Sequence, residues 1–294
     1  MADAPPTATP VTTHYDELLA SRYTWMMGGL DGCLSSARTL LDAVGLTDEG
    51  SGAVLDLGAG AGYHARVLAS RGFNVTAVDT SETLLKELAD VCAGTPVKTL
   101  QIDLLDEAKF AEAAPFVLIL CVGDTLTHLS SMKDVDKLIR MSARLLAPGG
   151  ALLLQFREQP KELSPQDSVI KMRAERDRIM QCVLHFEPDR VWVTDVVHEW
   201  NGQAWLTTKS TYPKLRLSTD ALLEIATTAA STSDSTTRSR VNACSYSRAA
   251  IPSSAYVRAS LARTAIISAR RPHECVLLSG GVLSILCRIQ IVLA

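Results

Sequence analysis

A short apolar strand that runs straight into alternating glycines, Val54-Leu55-Asp56-Leu57-Gly58-Ala59-Gly60-Ala61-Gly62, limits what this chain can fold into more than any other stretch. A helix is predicted over 61–70, with Leu68 and Ala69 placed to pack back onto a sheet. Glycines at alternate positions let backbone approach a ligand with no Cβ in the way, and the first turn of the helix points unpaired N–H groups at the same place. The pattern is that of a nucleotide-binding turn.

Two details narrow the ligand. A dinucleotide fingerprint wants Gly-x-Gly-x-x-Gly, but after Gly58 and Gly60 the next glycine is Gly62 and Tyr63 follows, so the third glycine comes one place early. Asp56 puts a carboxylate in the last part of the strand, where it would repel a pyrophosphate and favour an ammonium or another cationic ligand. These residues resemble the first motif of the class I S-adenosylmethionine-dependent methyltransferases, acidic-x-Gly-x-Gly-x-Gly. The resemblance implies that Asp56, Gly58, Gly60 and Gly62 surround the methionyl part of S-adenosylmethionine.

After the glycine turn, strand and helix alternate. A second strand over 74–78 ends in Asp79, 23 positions after Asp56. A carboxylate there can accept hydrogen bonds from both ribose hydroxyls. The competing role, a cap for the helix predicted over 81–91, is weaker because Thr80 and Ser81 can cap it unaided. A third strand over 97–102 closes in Asp103-Leu104. The resemblance implies that Asp103 reads the adenine amino group and that the next backbone N–H faces the ring; alone, an Asp after a strand is commonly a turn residue. An almost unbroken apolar run over 116–122, including Cys121, is expected to be a strand covered on both faces. It empties into Gly123-Asp124-Thr125-Leu126-Thr127-His128, a loop that should border the reactive methyl, since ligands of open α/β sheets sit beyond the carboxyl ends of the strands. A helix over 130–146, a break at Pro148-Gly149-Gly150 and a fifth strand over 151–156 complete the core.

The expected cofactor contacts are therefore Asp56, Gly58, Gly60, Gly62, Asp79, Thr80, Asp103, Leu104 and Cys121. Methyl transfer from a sulfonium needs alignment more than acid–base help, but a hydroxyl acceptor would need a base, and Asp124 and His128 are the catalytic candidates by position.

Upstream, 1–13 reads as a disordered lead-in without a targeting signal. An amphipathic helix over 14–29 carries Tyr15, Tyr23 and Trp25; the resemblance implies a lid. A structural helix over 34–44 follows. Downstream, segments over 178–186, 191–200 and 204–212, joined at Glu187-Pro188-Asp189 and Asn201-Gly202, read as an antiparallel meander on the acceptor side. Trp192, Trp200, Trp205, His185, His198 and Arg190 are its informative side chains. A helix over 219–228 comes next, and the closing antiparallel strands that the resemblance implies are not legible after it.

Composition changes there. The last 60 residues hold eight arginines, no lysine and one acid, leaving the first 234 with 21 basic and 31 acidic residues, a net charge of −10 against +7. A reading-frame change or mis-joined exon would produce such a tail, and an unpaired sheet edge would follow from it. The acidic body disfavours a nucleic-acid partner, and the apolar run near the end, broken by Gly280-Gly281 and Arg288, is a poor membrane span. Seven cysteines with no Cys-x-x-Cys pair argue against a disulfide framework or zinc site and for a cytoplasmic setting.

The expected fold is α/β: a doubly wound, mainly parallel, Rossmann-like sheet with helices on both faces and a small antiparallel meander after the fifth strand. The expected division is 1–13 lead-in, 14–157 binding core with lid helix, 158–230 substrate-side insertion and helix, and 231–294 atypical tail. The function implied is transfer of a methyl group to a small-molecule N, O or S acceptor, with no metal, nucleic-acid or membrane partner. A non-catalytic nucleoside-binding protein and a nicotinamide-dependent oxidoreductase are the alternatives.

Overall fold

The computed structural model describes residues 8–47, 49–158, 168–237, 264–267, 275–276 and 288–293. Five parallel strands form the core: β1 (Ala53–Leu57), β2 (Asn74–Asp79), β3 (Val97–Gln101), β4 (Phe116–Cys121) and β5 (Leu146–Arg157), in the order β5-β4-β1-β2-β3. Around them lie α1 (Leu30–Ala43), α2 (Tyr63–Ser70), α3 (Glu82–Val91), α4 (Met132–Leu145) and α5 (Thr219–Thr237).

Side chains of a strand alternate between faces, and the strands use both. Val54, Leu118 and Leu120 pack with Ala37, Leu41 and Leu68 from α1 and α2. Leu55, Leu57, Ile119 and Cys121 pack with Val135, Leu138 and Leu222 from α4 and α5. Burial on both faces is why the run over 116–122 is apolar throughout. Ser81 and Ser131 cap α3 and α4, their Oγ atoms each accepting an N–H at 3.3 Å, a contribution of about 1 kcal/mol apiece. The Pro-Gly-Gly stretch is no break: β5 starts at Leu146, directly after α4, and absorbs Pro148-Gly149-Gly150 as a register shift against β4.

A second sheet holds β6 (Val169–Ala174), β7 (Arg178–Phe186), β8 (Arg190–Trp200) and β9 (Trp205–Leu215), all antiparallel in the order β6-β7-β8-β9. The meander is thus one strand wider than expected. β6 was hidden by a charge-rich neighbourhood, most of which, 159–167, lies outside the described residues.

The expectation of an unpaired edge is corrected. Short strands β10 (Thr264–Ile267), β11 (Cys275–Val276) and β12 (Arg288–Leu293) extend the core sheet in the order β11-β10-β12-β5, with β12 antiparallel to β5 over Arg288↔Arg157 to Leu293↔Leu152. Backbone pairing asks little of side-chain pattern beyond β-propensity, which Ile289, Ile291 and Val292 supply. The rest of the tail lies outside the described residues.

The single amphipathic helix expected over 14–29 is instead a succession of short turns: α-helical over Val11–His14, π-helical over Tyr15–Leu19, 3-10 over Ala20–Arg22 and α-helical over Tyr23–Met26. The expected disorder of the lead-in does not extend to residues 8–13, where Thr9 N–H donates to Thr211 C=O on β9 at 2.8 Å; residues 1–7 lie outside the described residues. This N-terminal segment ties the two sheets together. His14 Nε2 meets Asp195 Oδ2 at 3.0 Å and Arg22 reaches Glu199 Oε2 through Nε and Nη2 at 3.2 and 2.6 Å on the meander, while Ser81 Oγ donates to Asp16 Oδ1 at 2.6 Å on the core side. Among the described residues no helix is long and apolar enough to cross a membrane.

Candidate functional site

The strand order reverses between β1 and β4, and a crevice opens where two neighbouring strands send their connections to opposite faces. A cavity of about 830 Å³ lies there, lined by the glycine turn, the ends of β2 to β4 and the N-terminal segment. Gly58, Gly60, Asp79, Thr80, Asp103, Leu104 and His128 all contribute to its wall.

The three glycines have different duties. All sit at positive φ, 73°, 55° and 80° for Gly58, Gly60 and Gly62. A Cβ on Gly58 would lie 2.2 Å from Thr125 Cγ2, and one on Gly62 would lie 2.4 Å from Leu88 Cγ, whereas one on Gly60 meets nothing within 4 Å. Gly58 and Gly62 are therefore glycines for packing, and Gly60 is the one that leaves backbone open to a ligand. Gly62→Ala is expected to cost about 2–4 kcal/mol, combining left-handed strain with overpacking. Gly60→Ala is expected to cost about 1–2 kcal/mol from strain alone, with the larger loss in ligand affinity. Urea denaturation beside ligand titration separates the two patterns; equal stability losses would refute the division.

Asp79 anchors the turn. Its Oδ2 accepts Gly60 N–H at 2.8 Å and its Oδ1 accepts Ser81 N–H at 2.9 Å. Ser81, not Asp79, caps α3. Burial raises the Asp79 pKa above the ordinary carboxylate value, and the N–H groups of Ser81, Gly60 and Thr80 oppose the rise. Asp103 also lines the cavity, with Oδ1 accepting Leu105 N–H at 2.7 Å as in a turn.

Asp56, Gly62 and Cys121 do not line the cavity wall. Cys121 is on the α4 face of β4 with Ile119, and strand alternation delivers Val122 and Gly123 to the cavity in its place. Asp56 shares the other face with Val54, beneath the glycine turn. It is 0% exposed, neither carboxylate oxygen has a hydrogen-bond partner among the described residues, and burial together with the charge of Asp79 pushes its pKa up to about 8. Asp79 and Asp103 thus open onto one hollow, and Asp56 lies under its floor.

Asp124 lies off the main cavity, on a second one of about 70 Å³ that shares Tyr15, Tyr23, Gly123 and Lys214 with the first. Its φ is 111°, a left-handed conformation uncommon for a residue with a Cβ and concentrated at functional sites. Lys214 Nζ donates to Asp124 Oδ2 at 3.2 Å, and Arg157 Nε lies 3.8 Å from the same oxygen. His128 is between Tyr15 and Tyr212, both edge-on, at 5.5 and 5.7 Å. Burial, then the neighbouring Lys214, lowers its pKa to about 3. The ring is thereby held neutral across the physiological range, and so low a basicity weighs against proton abstraction by it.

Several site residues escaped the sequence reading. Tyr15 lines both cavities, and His14, fully buried, stacks on Tyr212 at 4.0 Å with Asp195 as its hydrogen-bond partner. Asp195 did leave a signal: it occupies the inward phase of β8 with Val191, Val193 and Val197, where an acid is out of place. Lys214 and Arg157 left none, being charged residues at strand ends. Of the six meander side chains singled out from sequence, Arg190 alone reaches either cavity; Trp200 and Trp205 pair with each other at the exposed hairpin tip, 5.9 Å apart.

The site offers an open-backbone glycine and two carboxyl groups, Asp79 and Asp103, lining one cavity, an acceptor set that suits a nucleoside such as S-adenosylmethionine. Comparison with known proteins agrees. Residues 54–150 match the family model described as a methyltransferase domain. The chain is 34% identical over 102 residues to the ubiquinone biosynthesis O-methyltransferase of Caulobacter sp. (strain K31), covering 34% of this chain and 39% of that one. It is 30% identical over 114 residues to the glycine/sarcosine N-methyltransferase of Aphanothece halophytica, covering 38% and 43%. The chain spans less than two thirds of the length of the curated relatives it matches. The fold is that of the CcbJ methyltransferase from Streptomyces caelestis, with a TM-score of 0.58 at 22% identity over 74% of this chain and 87% of that one. Through residues 54–150, which carry most of this site, the chain is similar to the class I S-adenosylmethionine-dependent methyltransferases.

Proposed function

We propose that this protein transfers a methyl group from S-adenosylmethionine to a nitrogen, oxygen or sulfur atom of a small-molecule acceptor. The observation that carries the reading is the pairing of Gly60, whose backbone stands open, with Asp79, whose carboxylate accepts the Gly60 N–H at 2.8 Å. In this reading Asp79 holds the ribose hydroxyls with Thr80 beside it, and Asp103 and Leu104 meet the adenine. When bound, the sulfonium supplies a methyl group already activated for displacement.

What the chain's own residues add is alignment and exclusion of water. Tyr15 and Tyr23 of the N-terminal segment wall both cavities at once, so an acceptor must enter beneath a segment clasped to both sheets. His128 orients the acceptor as a neutral group. His128→Ala is expected to lower kcat by about 100-fold, the scale of a misplacement of about 1 Å, while leaving S-adenosylhomocysteine affinity intact. Unchanged turnover removes the residue from the mechanism. Because the ring stays neutral, the pH dependence of kcat/KM should show no inflection from it near its ordinary value of 6.5.

A small acceptor is favoured by the acidic body, by the modest second cavity and by the relatives, an O-methyltransferase of ubiquinone biosynthesis and a glycine/sarcosine N-methyltransferase. Calorimetry with S-adenosylhomocysteine and NADH tests the cofactor; tighter binding of NADH would sink the reading. Labelled-methyl transfer into a metabolite extract then separates an enzyme from a non-catalytic binder.

A further inference from the structure

The second cavity has two ends of different chemistry. Tyr15, Leu19, Met26, Met172 and Val193 make most of it apolar, but Arg157 and Lys214 enter beside Asp124. Both cations are largely buried, with side-chain exposures of 18% and 11%, and both face one oxygen, Asp124 Oδ2. Arg157 Nε, 3.8 Å from that oxygen, has no hydrogen-bond partner among the described residues. Lys214 Nζ has three donors and gives one hydrogen bond among those described, to Asp124. The other acid of the wall, Asp195, is occupied elsewhere: Oδ2 meets His14 Nε2 at 3.0 Å and Oδ1 accepts from Cys182 Sγ at 2.7 Å. Among the described residues no ion pair joins Asp195 to Lys214 or Arg157.

Buried cationic donors that lack acceptors carry a desolvation cost unless a ligand satisfies them. Lys214 also lines the cofactor cavity, so an anion held here would lie within one small molecule's length of the transfer point. We propose that Lys214 and Arg157 form an anion subsite and that the methyl acceptor is a small carboxylate, its charged end seated against these two residues and its nucleophilic atom directed toward the cofactor cavity. The proposal rests on the methyltransferase reading. A carboxylate is favoured over a phosphoryl group because its two oxygens match two donors, Arg157 Nε and a remaining N–H of Lys214 Nζ, and because Asp124 between the two cations leaves a single net positive charge to balance.

The test is calorimetric and needs no turnover. The full-length protein saturated with S-adenosylhomocysteine is titrated with small amines, alcohols and phenols, each offered as carboxylate and as carboxamide, β-alanine beside β-alaninamide and 3-hydroxybenzoate beside 3-hydroxybenzamide. At least one carboxylate is expected to bind about tenfold or more tightly than its amide, the scale of one charge-assisted hydrogen bond. Lys214→Met and Arg157→Met should each erase that preference, Arg157→Met should leave S-adenosylhomocysteine affinity within about threefold, and Arg157→Lys should restore part of the preference. Equal affinity within every pair, no binding by any carboxylate, or a preference that survives in both Met variants overturns the subsite; tighter binding of 2-aminoethylphosphonate than of β-alanine overturns the choice of carboxylate. If the unmodified protein fails to bind S-adenosylhomocysteine at all, the methyltransferase reading has failed instead.

Discussion

Asp56→Asn is expected to make the ligand-free protein more stable at pH 8 and to flatten a decline in stability that the unmodified protein shows between pH 4 and pH 8. The carboxyl is fully buried, without a hydrogen-bond partner among the described residues, and its pKa is pushed up to about 8 by burial and then by Asp79. The unfolded chain ionises this group near pH 4 while the folded chain keeps it protonated. Stability from this residue is therefore complete below pH 4 and is lost progressively as pH rises to about 8, because over that window the unfolded state releases a proton that the folded state must hold. A shift of this size corresponds to a loss on the order of 5 kcal/mol. Asn keeps the shape and cannot ionise. Urea denaturation from pH 5 to pH 8.5 checks this, and parallel curves for the two proteins would mean that the carboxyl is not isolated in solution. His128 works in the opposite direction: with its pKa lowered to about 3, it withholds a proton that the unfolded chain takes up below about 6.5, so its contribution is lost as pH falls.

The second large effect concerns ligand affinity. Asp79→Asn is expected to weaken S-adenosylhomocysteine by roughly 30- to 150-fold, or about 2–3 kcal/mol. The substitution removes the charge from an acceptor that already receives the Gly60 and Ser81 N–H groups at 2.8 and 2.9 Å and lies on the cavity wall. An amide must turn a donor toward one of those N–H groups, so the glycine turn itself loosens. Because Ser81 caps α3 independently, the stability change should stay near 1 kcal/mol, the scale of one neutral hydrogen bond. Isothermal titration beside thermal unfolding distinguishes the cases. A fall in melting temperature without a fall in affinity would mean that Asp79 serves the fold and not the ligand.

The two carboxylates show how one motif divides its work. Asp79 has found donors and faces the cavity; Asp56, 23 positions earlier on the neighbouring strand, has found none and does not. In sequence both are acids near the end of an apolar strand. Register separates them: Asp56 pairs with Ala77 while Asp79 lies beyond the last residue of β1, so one is roofed by the glycine turn and the other is at its rim.

Much of the core was legible because its information is local. Strand-glycine-helix punctuation, alternating apolar segments and an acid at each strand end depend on residues next to one another, and they placed β1 to β4, the glycine turn, Asp79 and Asp103 without reference to the rest of the chain. The hairpin at Asn201-Gly202 was readable for the same reason. What needed the tertiary structure was everything that depends on faces meeting. Strand alternation carried Cys121 to the α4 side, and Thr125 and Leu88 reserved Gly58 and Gly62 for packing. Burial, then the neighbouring Lys214, lowered the basicity of His128, which spacing alone could not show. The second cavity is the clearest case, because Tyr15, Asp124, Arg157, Asp195 and Lys214 come from five separate stretches of chain. Local pattern determined the glycine-turn cradle; the second cavity arises where the N-terminal segment closes over two sheets, and no one-dimensional spacing encodes that meeting.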